Sequence, residues 1–223
     1  MSIFQLRQYI RSVLVEGAIS SAHAAEQGLA LCIEMQDSDS ADYVLYDPDK
    51  LEELVELNKN PWNDEVYTSC IIGMIGIITD HDDGSGWNAS IVTAAAAERG
   101  YGPLLYDIVM SQEDGLMADR STVRPAAKKV WQYYKDQRPD VIAKPLDNKF
   151  APKTEPRIDD DKVYPDGVEN PLNYAYFATR HPDITGLRKN HADVMEKLVK
   201  YNFNVIDLID AASHYFGSRY QNG

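Results

Sequence analysis

The sequence predicts an α/β (α+β) domain in which a mixed central sheet has flanking helices and a C-terminal helical extension. Apolar, β-branched stretches alternate with stretches whose apolar residues recur every three or four positions. The acidic, glycine-containing residues 80–86 separate two apolar stretches and predict the turn of a β-hairpin. Gly100 and Gly102 then precede an amphipathic helix, and this order of strand, turn and helix predicts a parallel βαβα unit.

The chain before the hairpin predicts two helices and two strands. Residues 3–14 have apolar positions at helical spacing and predict an amphipathic first helix, which either docks onto the domain or contacts a partner. Residues 29–33 and 43–46 predict short strands. A second helix is expected over residues 47–57.

The hairpin and the chain after it predict the centre of the sheet. Hairpin strands are expected at 66–79 and 87–93 because both stretches are apolar and lie on either side of the turn. A helix with one apolar face follows Gly102, and a short strand is expected at 115–119. A further helix begins at Pro125, since proline is favoured at the first helical position.

The composition changes in the last third of the chain. Residues 145–171 are rich in Pro, Asp and Lys and have little periodicity, which predicts an extended connector. Two helical stripes follow, over residues 194–199 and 205–216. We therefore expect a core with its amphipathic first helix over residues 1–147, and a connector with a helical lobe over residues 148–223.

Composition restricts the classes of partner. Lys and Arg number 22 and Asp and Glu number 35, which gives a net charge of −13. Such a field repels phosphate backbones and anionic lipid, so we expect neither nucleic acid nor a membrane as partner. A cationic small-molecule amine or a basic protein tail would be attracted, although a charge of this sign is also a common means of staying soluble.

Cysteine usage and hydropathy predict a cytoplasmic protein. Cys32 and Cys70 are the two cysteines of the chain, and a domain of 223 residues does not need a disulfide scaffold. The apolar run at 70–78 is too short to span a bilayer. Arg7 and Arg11 interrupt the apolar residues of the N-terminus, which is not typical of a signal peptide.

The glycine-containing segment at 91–106 is the strongest functional signal. Gly100 and Gly102 allow the backbone to approach a ligand closely, and the following helix offers unpaired N–H groups and a positive dipole end. An anion such as a phosphate could bind there. A tight strand-to-helix turn without a ligand explains the two glycines equally well.

This segment resembles the signature motif of the GNAT superfamily of acyl-CoA-dependent N-acyltransferases, in which a strand leads into an Arg/Gln-x-x-Gly-x-Gly/Ala turn. Gly100 and Gly102 match the two small positions. Ala97 stands where Arg or Gln is typical, and Pro103 removes one amide donor. The resemblance extends over residues 66–137. The same pattern also resembles uncharacterised GNAT-like proteins encoded by bacteriophages, which would place the protein in the host cytoplasm.

The resemblance implies a GNAT-like central sheet in which the cofactor lies where two parallel strands splay apart. Acetyl-CoA or another acyl-CoA is the implied cofactor, and an amine of unknown identity attacks the thioester directly. The cofactor-binding residues that it implies are Thr93, Ala94, Arg99, Gly100, Tyr101, Gly102 and Leu104. A backbone N–H near Thr93 or Ala94 would polarise the thioester carbonyl.

The implied catalytic residues depart from the family pattern. Trp131 stands where a proton-donating tyrosine is typical, so Tyr133 or Tyr134 would have to substitute. Ordinary aromatic packing is the alternative for each tyrosine. The strand at 87–93 carries no carboxylate, which leaves Asp83 in the preceding turn as the candidate base, with a solvated turn residue as the alternative.

No metal site or nucleophilic triad is expected. The five histidines lack ligand spacing, and no serine lies in a Gly-x-Ser-x-Gly setting. Asp107 and Asp119 are further candidates for positioning or proton transfer, and an ion pair with Arg120 is the alternative for Asp119.

Two other hypotheses remain beside an active acyltransferase. A catalytically inactive GNAT-like scaffold could serve as a structural or protein-binding module, because folds outlast the chemistry they carry. The Trp131 replacement favours it, and the terminal helices could then form a homo-oligomer or an assembly contact. Alternatively, the acidic surface could imitate nucleic acid and bind a basic host protein, as a phage-encoded inhibitor would.

Overall fold

The computed structural model describes residues 19–36, 39–58, 67–79, 89–119, 123–146 and 169–221, without the side chains of residue 68 and residues 214–221. The predicted first helix at 3–14 and the predicted hairpin turn at 80–86 lie outside these residues. Among the described helices, none combines the length and the apolar character needed to cross a bilayer.

Seven strands and six helices build the described part of the chain. The strands are β1 (Ala30–Met35), β2 (Ser40–Tyr46), β3 (Ile71–Ile78), β4 (Ser90–Ala97), β5 (Leu116–Ala118), β6 (Val141–Pro145) and β7 (Tyr174–Ala178). The helices are α1 (Ser21–Glu26), α2 (Pro48–Asn58), α3 (Gly102–Gln112), α4 (Pro125–Gln137), α5 (Thr185–Leu198) and α6 (Val205–Gln221).

The strands form one mixed sheet in the order β1-β2-β3-β4-β5-β7-β6. The first four strands pair antiparallel as a meander. Strands β4 and β5 pair parallel, with α3 as the crossover between them. Strand β7 pairs antiparallel with both β5 and β6. The predicted mixed α/β class and the parallel β4-α3-β5 unit are confirmed.

Three elements were missing from the sequence expectation, namely α1, β6 and β7. Strand β7 lies beyond residue 147 but pairs between β5 and β6, so the expected boundary at 147/148 does not separate the sheet from the C-terminal part. Both missed strands are only five residues long and end or begin beside proline-containing segments. Their pairing depends on contacts distant in sequence, which local periodicity does not report.

The two faces of the sheet carry separate apolar cores. Side chains alternate along β3, so Ile75 joins the core beneath α3 and α4 whereas Met74 joins the core beneath α2 and α6. On the second face Leu51 of α2 and Leu208 of α6 are fully buried. The helices predicted at the C-terminus therefore cover the sheet directly.

Candidate functional site

Strands β4 and β5 part soon after they pair. Their parallel register joins Ser90 to Leu116, Ile91 to Met117 and Val92 to Ala118. Strand β5 ends there, whereas β4 continues to Ala97. Within the described residues no strand pairs with the β5-facing edge of residues 93–97, so a gap opens in the sheet at Thr93.

A β-bulge lies at the mouth of this gap. Ala94 pairs with Gly76 and Val92 pairs with Ile77, which leaves Thr93 as an extra residue in β4. A bulged residue loses its place in the hydrogen-bond ladder, and its backbone is turned away from the neighbouring strand. Thr93 and Ala94 are both exposed. Their backbone polar groups are therefore the sheet groups best placed to meet a ligand in the gap.

Three adjoining cavities follow the gap and the helices beside it. The inner cavity measures about 250 Å³ and is lined by Val92, Thr93, Ala94, Ala95, Tyr106, Asp119, Val123, Arg124, Ala127 and Trp131. The middle cavity, about 300 Å³, is lined by Ala95, Ala96, Ala97, Glu98, Gly100, Gly102, Pro103, Leu105, Tyr106, Ala126, Ala127 and Val130. The outer cavity, about 330 Å³, is lined by Pro103, Lys129, Val130, Gln132, Tyr133 and Gln137. Neighbouring cavities share lining residues, so the three form one furrow.

The glycine turn directs the N-terminus of α3 into the middle cavity. Gly100 has φ +96°, a backbone conformation that side chains with a Cβ rarely adopt. Helix α3 begins at Gly102 with Pro103 in its first turn, and the first N–H groups of a helix have no intrahelical acceptor. A methyl group added at Gly102 would meet no atom within 4 Å. The turn therefore presents a positive helix end to open space.

Four of the seven residues implied to bind the cofactor line these cavities. They are Thr93 and Ala94 in the inner cavity, and Gly100 and Gly102 in the middle cavity. The other three line none of the three cavities. Arg99 is exposed, the Tyr101 hydroxyl donates to Gln27 Oε1 at 2.8 Å, and Leu104 is buried in the core with 2% exposure.

The three implied catalytic residues do not come together within the described residues. Asp83 lies outside them. Tyr133 is half-buried and lines the outer cavity, away from Thr93. Tyr134 is fully buried, and its hydroxyl lies 2.8 Å from Asp107 Oδ1 and 3.0 Å from the carbonyl oxygen of Pro103. The Tyr134 hydroxyl therefore faces α3 and lines none of the three cavities.

Asp107 and Tyr134 belong to a network that fastens α4 to α3. The Arg138 guanidinium donates to both carboxylate oxygens of Asp107 at 3.0 Å, and to Asp140 at 2.7 and 2.8 Å. Its hydrogen bonds to Asp140 raise the pKa of Arg138, and Arg138 in turn lowers the pKa of Asp140. Arg138 and Tyr134 both donate to the Asp107 carboxylate, so Asp107 has a structural role between α3 and α4.

Removing the arginine of this network should destabilise the fold. Arg138→Met keeps the apolar stem but leaves the Asp107 carboxylate, with 25% of its side chain exposed, without its ion partner. We expect the free energy of unfolding in urea to fall by about 2–3 kcal/mol, less than for a fully buried pair. Lys200→Met, which breaks the pair with Glu56 in which both side chains are more than half exposed, is the matched control and should change stability little. Equal effects of the two variants would contradict a structural role for Arg138.

Tyr106 and Arg124 line the inner cavity and were not among the site residues predicted from the sequence. Tyr106 lines both the inner and the middle cavity, and Trp131 closes the inner one. The Trp131 ring contacts the Tyr106 ring edge-on and stacks on the Tyr176 ring, with 5.1 Å between the ring centroids in each pair. Asp119, a further candidate from the sequence, lines the inner cavity together with Arg124. Helical spacing predicts that Tyr106 lies on one face of α3, but it does not predict which cavity this face lines.

The groups available at this site are backbone amides, hydroxyls, carboxylates and the cationic side chains of Arg124 and Lys129. Among the residues that the structure describes, no three His, Cys, Asp or Glu side chains are arranged to hold a metal ion. Comparison with known proteins is negative throughout: no protein-family model, no curated protein and no solved structure matches this chain.

Proposed function

We propose that the chain is an acyl-CoA-dependent N-acyltransferase with a GNAT-like fold, and that the furrow binds the cofactor. One observation carries the proposal: the gap beside the Thr93 bulge continues through the middle cavity to the N-terminus of α3. A nucleotide-linked thioester needs an anion site at one end and an opening to an acceptor at the other. The first turn of α3 would serve as the anion site, and the gap at Thr93 would serve as the opening.

The residues of the furrow fit such a cofactor in three consecutive parts. The first turn of α3, with Gly102, would hold a diphosphate by its N–H groups and dipole. The edge of residues 93–97, which extends beyond the end of β5, would exchange hydrogen bonds with an amide-containing arm, as a sheet edge does with an added strand. Tyr133 would offer an aromatic face to the base in the outer cavity.

When bound, an acyl-CoA supplies the activated acyl group as a thioester. The bulge at Thr93 would direct a backbone N–H to the thioester carbonyl oxygen and stabilise the charge that develops there. Tyr106, which lines both the inner and the middle cavity, is the described tyrosine best placed to give a proton to the leaving sulfur. Fixing the reacting groups together would supply much of the remaining rate.

Direct attack by the amine is supported by the state of the two cysteines. Cys32 and Cys70 are the only cysteines of the chain, and both are buried with free thiols. Burial raises the pKa of each to about 12, so neither forms the thiolate that an acyl-cysteine intermediate requires. The net charge of −13 favours a cationic amine as acceptor.

The proposal is tested by release of free thiol from acetyl-CoA in the presence of a panel of diamines, polyamines and lysine-containing peptides. Turnover with at least one amine is expected, and acetyl-CoA without an amine is the control. Isothermal titration with coenzyme A should give a saturable signal. Absence of binding would contradict the proposal.

A second candidate function is a scaffold that binds the cofactor without turnover. It is favoured by Trp131, which has no acidic proton where a tyrosine is typical, and by Tyr134, whose hydroxyl faces Asp107 instead of the furrow. The same two measurements separate the candidates. Coenzyme A binding without thiol release over the whole panel would select the scaffold.

A further inference from the structure

A carboxylate of β2 approaches the Thr93 bulge from the face of the sheet opposite to α3. Asp42 pairs with Gly76 of β3, and Gly76 pairs with Ala94 of β4, so the three positions form a row across the sheet. The central member of this row has no side chain. Neighbouring side chains on that face can therefore reach one another above Gly76.

Two glycines of β3 reveal which face this is. A methyl group added at Gly73 would lie 2.7 Å from Leu105 of α3, so Gly73 faces the side of the sheet that α3 covers. Three residues further on, the side-chain direction of β3 is reversed. A methyl group added at Gly76 would lie 2.7 Å from Asp42 Oδ1 and 3.3 Å from Thr93 Oγ1. The Asp42 carboxylate and the Thr93 hydroxyl thus border one small gap on the far face.

The two oxygens of Asp42 have different surroundings. Oδ2 accepts a hydrogen bond from Gln36 Nε2, which holds the carboxylate in place, whereas Oδ1 borders the gap above Gly76. Burial raises the pKa of Asp42 above its ordinary value, toward that of a more effective base. Three charged or titratable groups lie around Asp42. Glu34 lies directly opposite it on β1, and Cys32 lies on β1 as well. Arg188 of α5 lies close enough to lower the pKa of Cys32.

We propose that Asp42 is the proton acceptor for the incoming amine, and that a cationic amine reaches the thioester from the face opposite to α3. This rests on the proposed acyltransferase function. The cofactor furrow runs along the α3 side, so the far side of the gap is the route left for the acceptor. Asp42 is the described carboxylate that borders the bulge there.

The proposed step balances without a further reactant. An R–NH₃⁺ group gives one proton to the Asp42 carboxylate, and the nitrogen lone pair attacks the thioester carbon. The C–N bond forms as the C–S bond breaks, Tyr106 gives its hydroxyl proton to the leaving sulfur, and the second nitrogen proton restores the Tyr106 hydroxyl. The products are the amide and the free thiol, and Asp42 releases its proton to solvent.

Asp42→Asn is the variant that tests this assignment. Its amide keeps the shape and the Gln36 contact but cannot accept the proton. We expect kcat/KM with the best amine to fall by about 100-fold or more. The dissociation constant for coenzyme A should stay within about twofold, because the furrow lies on the other face, and the melting temperature should stay equal or rise because a half-buried charge is removed.

The pH profile distinguishes proton transfer from a structural effect. Asp42 must be ionised to act, so the wild-type kcat/KM should rise with pH through the elevated pKa of Asp42, and this limb should vanish in Asp42→Asn. Asp193→Asn, which removes an exposed carboxylate of α5, should behave like wild type. A wild-type rate and pH limb in Asp42→Asn would overturn this inference and leave the proposed function standing. A wild-type protein that neither binds coenzyme A nor transfers would overturn both.

Discussion

Replacing Gly102 by glutamate should weaken coenzyme A binding by about 100-fold or more without unfolding the protein. The new carboxylate would enter the middle cavity, where a methyl group at this position meets no atom within 4 Å. It would repel a diphosphate held by the first turn of α3. A negative charge at a helix N-terminus stabilises the helix, so the free energy of unfolding should be unchanged or slightly higher.

Isothermal titration with acetyl-CoA measures the affinity, and unfolding in urea measures the stability. Gly102→Gln is the matched control, because it adds the same bulk without the charge and should bind more tightly than Gly102→Glu. Gly100 is a poorer test position, since its φ of +96° would strain any side chain and confuse folding with binding. Equal affinity of wild type and Gly102→Glu would show that the furrow does not hold the diphosphate.

Trp131→Ala should lower the free energy of unfolding by about 3–5 kcal/mol. Trp131 is 1% exposed and contacts the rings of Tyr106, Tyr134 and Tyr176, so its removal leaves a large void in the core beneath α3 and α4. The void would also merge with the inner cavity. Any loss of activity in this variant would therefore follow from a misshapen furrow and not from a lost proton donor.

Trp131→Phe separates ring packing from the indole itself. A smaller aromatic ring keeps most of the stacking on Tyr176, and the loss of stability should be less than half of that caused by alanine. Urea unfolding followed by far-UV circular dichroism gives both values. A loss below about 1 kcal/mol for Trp131→Ala would contradict the buried position of this side chain.

The centre of the sheet was predictable from sequence because its signals are local. An apolar stretch before the glycines, the glycines themselves and the apolar face of α3 all lie within residues 66–112. Gly100 has a φ of +96° and Gly102 borders open space, so the predicted glycine turn is present, whereas its role in binding a ligand stays a prediction. Strand β7 was not predicted because its neighbours β5 and β6 are distant along the chain.

The surroundings of the Thr93 bulge were less predictable for the same physical reason. The Thr93 bulge and the approach of Asp42 over Gly76 are properties of cross-strand register, which no single segment encodes. Tyr133 and Tyr134 are adjacent in sequence but point to different surroundings, one to the outer cavity and the other to Asp107. Helical periodicity predicts that two adjacent side chains point in different directions, but it does not predict which residues each side chain contacts.

The central claim is that the gap at Thr93 and the first turn of α3 hold one acyl-CoA molecule. Backbone amide NMR of the ¹⁵N-labelled chain during titration with coenzyme A tests it most directly. We expect saturable shifts at Thr93, Ala94 and Gly102 with a common dissociation constant, and little change at Asp193 on α5. Shifts that do not saturate, or that avoid these three amides, would contradict the claim.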